Sequence, residues 1–223
     1  MKGRKRGRAN QKLAATDRRL QLVMIAMNFI ASKGFEGFRY QEVAKAAGIN
    51  TGTLFYYFSN KEELIHGVMQ HLREEFSKTP GRPVDKPTTA LEELRLEFES
   101  VSDLLQNQPR LFLVHAEISL RGLRDPIIEK EVRNLDRLWK QHLIQLIEQG
   151  MAEGIFRSDV SSESTALSLI SQFKGIGWHA MTGGLKRREI REAVMQIARQ
   201  TEYWLTGKFD QVADSPKEIR ASN

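Results

Sequence analysis

Hydrophobic residues recur every three or four positions through most of this chain, which is the spacing of helices that bury one face. The run at 111–114 (LFLV) could form a strand, but no second strand is predicted that could pair with it. The pattern therefore predicts an all-α fold. Helices are expected over 17–34, 41–47, 51–58, 61–76, 89–105, 110–120, 126–150, 163–181 and 189–205.

The first of these helices is expected to begin at a capping Asp17 and to end at Gly34. Its apolar side chains follow i, i+3, i+4, i+7 and i+10 and are expected to face the core: Leu20, Val23, Met24, Met27 and Ile30. These residues would support a functional surface without forming it.

Two short helical patterns meet at Gly48, within the stretch 39–61 (RYQEVAKAAGINTGTLFYYFSNK). Glycine tolerates the left-handed backbone that ends a helix, and Asn50 can cap the helix that follows. That helix turns Leu54 and Phe58 inward, and a helix buries only one stripe, so the aromatic residues at 55–57 cannot all be core. Ala44 is small enough for two helices to cross beside it. The stretch therefore predicts a helix-turn-helix, a motif that reads DNA.

The net charge of +6 is concentrated beside this motif. Residues 1–78 carry 14 Lys and Arg against 7 Asp and Glu, a surplus of +7, and the rest of the chain is slightly acidic. Phosphate binding explains such a surplus better than a solvated surface does. The segment 1–15 is predicted to be a disordered basic arm that reaches a DNA backbone or minor groove, or that only aids solubility.

Linkers suggest how the chain is divided. The stretch 77–89 holds three of the six prolines and is predicted to be the clearest loop. We expect a helix-turn-helix domain over 16–60, a helical bundle for effector binding and dimerisation over 61–206, and a polar tail over 207–223. The helix at 61–76 would run from the small domain into the larger one.

Composition excludes several classes of protein. Without cysteine the chain forms no disulfide or thiolate metal site, and no metal or cofactor is expected. No apolar run approaches the roughly 18 residues of a membrane span and no secretory signal is visible, so we expect a cytoplasmic protein without a membrane partner. Catalytic motifs such as a P-loop or HExxH are missing, which argues against an enzyme. A non-specific architectural DNA-binding protein and a helical protein-interaction module stay open as alternatives to a sequence-specific regulator.

Residues 44–64 (AKAAGINTGTLFYYFSNKEEL) resemble the DNA-binding domain of the tetracycline-repressor (TetR) family, and 153–160 (EGIFRSDV) is similar to a turn common in that family. The resemblance implies a transcriptional regulator, usually a repressor, bound to double-stranded DNA. Its DNA-facing residues would be Gln41, Thr51, Gly52, Thr53, Phe55, Tyr56, Tyr57 and Lys61. Tyr56 is the least secure of these, because it could pack against the first helix.

The chain departs from the family at Phe38 and Arg39, where relatives usually carry Thr or Ser. The second helix therefore lacks its usual cap, and Arg39 could reach a phosphate instead. We add Arg39 to the expected DNA-facing set.

One short reading helix covers only a few base pairs, so a homodimer on a palindromic operator is expected. The wide apolar faces at 163–205 are mixed with small residues, which suit either an intrachain core or a dimer. The resemblance to the TetR family implies that the dimer interface lies there. The resemblance also implies a small-molecule effector among the middle helices, with 61–76 transmitting its effect. The candidate pocket residues, for each of which a core or interface position is the more common role, are Phe112, His115, Glu117, Trp139, His142, Phe173 and Trp178.

Overall fold

The computed structural model describes the backbone of residues 2–77 and 89–207 and the side chains of residues 16–77 and 89–207. Within these ranges the chain forms nine α-helices and no strand, which confirms the all-α prediction. They are α1 (Lys2–Gly37), α2 (Tyr40–Ala46), α3 (Thr51–Tyr57), α4 (Lys61–Phe76), α5 (Ala90–Asn107), α6 (Pro109–Gly122), α7 (Pro126–Ala152), α8 (Ser162–Met181) and α9 (Arg187–Leu205).

Helix starts follow the capping residues in the sequence. Thr89 accepts a hydrogen bond from the Glu92 backbone N–H at the start of α5, and Asp125 accepts one from the Ile127 N–H at the start of α7. The apolar run at 111–114 lies inside α6. Most of the predicted loop at 77–89, and all but the first residue of the predicted tail at 207–223, lie outside the described residues.

The first helix differs from its prediction in two ways. It begins at Lys2, inside the segment 1–15 that was predicted to be disordered; the Lys, Arg, Ala and Gln residues there have favourable helix propensities. Its buried stripe also starts at Leu22, which is fully buried, whereas Leu20 and Met24 are 46% and 43% exposed. The apolar spacing alone could not show which neighbouring positions face the partner helix. The helical conformation is interrupted at Gly34, where φ is +70°.

The first of two compact units contains Met1–Lys78 and Arg110–Asp136. In this unit α4 packs closely against α1, and a Cβ added to Gly67 of α4 would lie 3.2 Å from Val23 of α1. The same Cβ would lie 2.9 Å from the ring of Phe58, which follows α3. The domain boundary predicted after residue 60 falls inside this unit, because α4 is part of its core.

The second unit contains Thr79–Pro109 and Arg137–Asn223, and in it α5 packs against α8 and α9. The family-like turn at 153–160 folds Phe156 onto Gly150, where an added Cβ would lie 2.0 Å from the ring. The Arg157 N–H donates to the Leu205 carbonyl at 2.8 Å and so ties this turn to the end of α9. None of the described helices is both long and apolar enough to span a bilayer.

Candidate nucleic-acid interface

The connection between α2 and α3 has the geometry predicted for a helix-turn-helix. Gly48 adopts φ +65°, and the Ile49 N–H donates back to the Ala44 carbonyl at 3.0 Å. The Asn50 side-chain oxygen accepts from the Thr53 N–H at 2.7 Å and caps α3. Ala44 is buried, and Leu54 and Phe58 are fully buried beneath the reading helix. The turn and the inner face of α3 are therefore as predicted.

The outer face of α3 is aromatic. Phe55 is 51% exposed and its ring lies 5.3 Å from that of Tyr40, while Tyr56 is 81% exposed and meets the Tyr57 ring edge-on at 5.2 Å. The alternative that Tyr56 packs against the first helix is wrong, because its side chain stands almost entirely in solvent. Burying such rings against a partner would remove a large apolar area from water.

The start of α2 has no side-chain cap, as its sequence predicted. Arg39 is instead exposed, and its guanidinium donates to the Glu36 carbonyl. The other members of the predicted DNA-facing set divide by exposure. Gln41, Gly52, Phe55 and Tyr56 are exposed, whereas Thr51, Thr53, Tyr57 and Lys61 are half-buried.

Lys61 differs most from a simple phosphate ligand. Its ammonium donates to the Phe38 carbonyl at 3.3 Å and lies 4.7 Å and 5.0 Å from the ring centroids of Phe35 and Phe38. Burial lowers the pKa of this ammonium below the ordinary lysine value. A phosphate contact by Lys61 would require these internal contacts to be exchanged for the DNA.

Three side chains that sequence reasoning missed hold the C-terminal ends of α2 and α3. Arg18 donates to the Ala47 carbonyl at 2.9 Å, Arg19 donates to the Tyr57 carbonyl, and the Tyr40 hydroxyl donates to the Phe58 carbonyl. Burial, with a smaller contribution from Glu63, raises the pKa of the Tyr40 hydroxyl. A general rule could have pointed to the two arginines: the last carbonyls of a helix lack intrahelical partners, and cations near a helix C-terminus can satisfy them.

The predicted effector residues are divided between the two units, with three in the first and four in the second. In the first, Phe112 and His115 both contact the Phe76 ring, at 5.3 Å and 6.0 Å between centroids. The Glu117 carboxylate accepts from the Phe35 backbone N–H at 3.0 Å, just after α1 is interrupted.

In the second unit Trp139 stacks on Phe173 at 5.8 Å and donates to the Glu97 carboxylate at 3.0 Å. His142 lies 3.6 Å from the same carboxylate, and Trp178 is 57% exposed on α8. Glu97 was not predicted. Among the side chains that the structure describes, no three His, Asp or Glu residues are grouped so as to hold a metal ion.

A buried helix-turn-helix scaffold with an exposed aromatic reading face, in the most basic part of the chain, defines a DNA-binding transcriptional regulator. Residues 24–68 match the family described as bacterial regulatory proteins, tetR family. The chain is 21% identical over 189 residues to the transcriptional repressor KstR2 of Mycolicibacterium smegmatis, covering 81% of this chain and 88% of that protein. It is 25% identical over 177 residues to the repressor NicS of Pseudomonas putida, covering 77% and 80%.

Solved structures share the fold. A TetR transcriptional regulator from Chloroflexus aurantiacus superimposes with a TM-score of 0.72 at 17% identity, covering 83% of this chain and 94% of that one. A regulator from Saccharomonospora viridis, solved in complex with choline, superimposes with a TM-score of 0.68 at 19% identity, covering 82% and 96%. Residues 24–68 thus match the TetR family, and the helical fold is shared with solved TetR-family regulators.

Proposed function

We propose that this protein is a repressor that binds a palindromic operator as a homodimer and leaves it when a small molecule binds. The observation that carries the proposal is the division of α3, whose inner residues are fully buried while Phe55 and Tyr56 stand in solvent. The exposed faces of these rings are available to thymine methyl groups, sugars and phosphates. The relatives KstR2 and NicS are themselves named repressors.

The test is to select duplexes from a randomised library with the wild-type protein, and then to footprint the DNA that flanks its own gene. We expect one palindromic site in both experiments. Tyr56→Ala should weaken binding to that site by about 1–3 kcal/mol, the range of one base-edge contact. Leu123→Ala is the matched control, because Leu123 is a 78% exposed apolar side chain away from α2 and α3 in sequence. Binding without sequence preference and with steep salt dependence would instead favour the architectural alternative.

The dimer proposal is supported by apolar side chains that the single chain leaves exposed near its C-terminal end. Leu167 and Trp178 lie on α8, eleven residues apart and hence about three turns along one face, and Tyr203 and Trp204 lie on α9. Covering these residues with a second copy would join two reading helices. Trp178→Arg should therefore sediment as a monomer at micromolar concentration, while Leu123→Arg stays dimeric. A monomeric wild-type protein would end the proposal.

The effector proposal is supported by the half-buried aromatic and imidazole group formed by Phe76, Phe112 and His115. Phe76 ends α4, whose first turn follows the reading helix, so a ligand there has a direct connection to α3. We would screen choline, aromatic acids and common metabolites by thermal shift. A ligand at a hundred times its Kd should stabilise the protein by about 2.7 kcal/mol. Reciprocal linkage then requires that an inducing ligand weaken operator binding, and Phe112→Ala should reduce both effects.

A further inference from the structure

Adjacent arginines on α1 reach the ends of both helices of the helix-turn-helix. Arg18 donates to the carbonyl of Ala47, which caps the end of α2, and Arg19 donates to the carbonyl of Tyr57, the last residue of α3. Consecutive residues project about 100° apart around a helix. Two neighbouring side chains of α1 can therefore contact two different helices packed on it.

Each guanidinium is already committed inside this domain. The second terminal nitrogen of Arg18 donates to the Gln21 side chain. That of Arg19 lies 3.5 Å from the Glu63 carboxylate, and its guanidinium carbon lies 4.1 Å from the centroid of the Phe58 ring. Glu63 is fixed in turn, because its carboxylate accepts from the Ser59 N–H at 2.7 Å. Arg19 thus links α1, the end of α3 and the start of α4.

The short helices need such support. α2 and α3 have seven residues each, so much of their backbone is at an end and lacks an intrahelical partner. A cation at a helix C-terminus interacts favourably with the carbonyl dipoles. The carbonyl held by Arg19 belongs to Tyr57, directly beside the exposed ring of Tyr56.

We infer that Arg18 and Arg19 are positioning residues for DNA reading, which fix α2 and α3 on α1 and so aim the aromatic face, and that they are not phosphate ligands. This rests on the proposed reading of DNA by α3. Their positive charges belong to the basic surplus of the N-terminal region, so composition alone would assign them to the phosphate backbone. The two roles differ in what they do to specificity and to salt dependence.

The experiment compares the selected duplex with a scrambled duplex of equal composition, over a range of salt concentrations. Arg19→Lys keeps the charge and loses the forked guanidinium; Arg19→Gln loses both. Arg133→Gln is the charge control, because the Arg133 side chain is exposed and pairs with Glu129 within α7. Arg18→Lys repeats the test on α2. Circular dichroism melting curves identify a temperature at which every variant is folded, and binding is measured there.

A positioning role predicts that Arg19→Lys weakens binding to the selected duplex by about ten- to a hundredfold, the loss of one charge-assisted hydrogen bond. Its binding to the scrambled duplex and its salt slope should match the wild type, and the slope of Arg19→Gln should match that of Arg133→Gln. The inference is overturned if Arg19→Lys binds like the wild type while Arg19→Gln loses affinity equally for both duplexes. In that case the salt slope of Arg19→Gln would be smaller in magnitude than that of the wild type by about 0.9, the value for one phosphate contact. If the wild type itself does not prefer the selected duplex, the proposed function fails first, and the positioning role fails with it.

Discussion

Replacing Glu117 by alanine should loosen the end of α1, because its carboxylate accepts a hydrogen bond from a backbone N–H at the point where the helical conformation is interrupted. Gly34, at φ +70°, turns the chain out of the helix, and the next N–H, of Phe35, donates to Glu117 Oε2 at 3.0 Å. Phe35 is buried. A hydrogen bond to a charged acceptor contributes about 1.5–3 kcal/mol, and an unpaired buried N–H costs a similar amount. We therefore expect Glu117→Ala to lose about 2 kcal/mol of local stability.

Glu117→Gln separates the hydrogen bond from the charge, since its amide oxygen can still accept from Phe35. It should lose about 1 kcal/mol or less. Amide hydrogen exchange is the sharpest assay, because it reads the Phe35 N–H directly: 2 kcal/mol corresponds to roughly thirtyfold faster exchange if local opening is limiting. Urea denaturation measures the global loss. Glu129→Ala is the control, as its pair with Arg133 is exposed and contributes little.

Unchanged exchange of the Phe35 N–H in Glu117→Ala would show that the Glu117 carboxylate does not hold this group. Equal losses in the alanine and glutamine variants would refute the contribution of the hydrogen bond and leave charge as the cause. The acidic side chain would in either case need another role, such as the effector contact that the sequence suggested.

Three further predictions concern single contacts. Gly150→Ala should lose about 3 kcal/mol of stability or more and melt at a lower temperature, because its Cβ would collide with the Phe156 ring. A melting temperature equal to that of the wild type would contradict this packing. Asn50→Ala should lose about 1 kcal/mol in urea through its missing helix cap and Asn50→Asp little, so equal losses would contradict the cap. The backbone and hydroxyl of Ser59 hold the pKa of the Glu63 carboxyl below its ordinary 4.5, so the advantage of wild type over Glu63→Gln should be present above that pH and vanish as pH falls through the folded-state value. A pH-independent difference would contradict it.

The sequence could predict most helix bounds, because local signals mark them. α8 and α9 begin within about two residues of the predicted starts, where capping side chains coincide with the onset of an apolar stripe. The turn before α3 was equally local, since Gly48 and Asn50 act on their immediate neighbours. The stripe of α1 could not be placed so well: Leu20 and Leu22 are both apolar, and the positions of the helices packed on α1 decide which is buried.

In the candidate site, too, features set by local sequence could be predicted and features set by distant residues could not. Exposure of the aromatic face followed from the rule that one helix buries one stripe, and it holds for Phe55 and Tyr56. The environment of Lys61 depends on Phe35 and Phe38, more than twenty residues earlier, and no local pattern could indicate those contacts. Glu117 lies still farther in sequence from Phe35, so no local pattern could indicate the hydrogen bond between them.

The side chains that hold α3 in place differ from those that α3 exposes to solvent. An isolated helix of seven residues is not stable in water, so its position must come from contacts at both ends and beneath it. Asn50 holds the first turn, Arg19 the last carbonyl, and Leu54 the inner face. Tyr56 takes part in none of these contacts, whereas the Phe55 ring packs on Tyr40. Substitutions at Tyr56 should therefore change the DNA sequence that is read at a stability cost within about 0.5 kcal/mol, whereas a change at Arg19 should disturb the reading of every base at once.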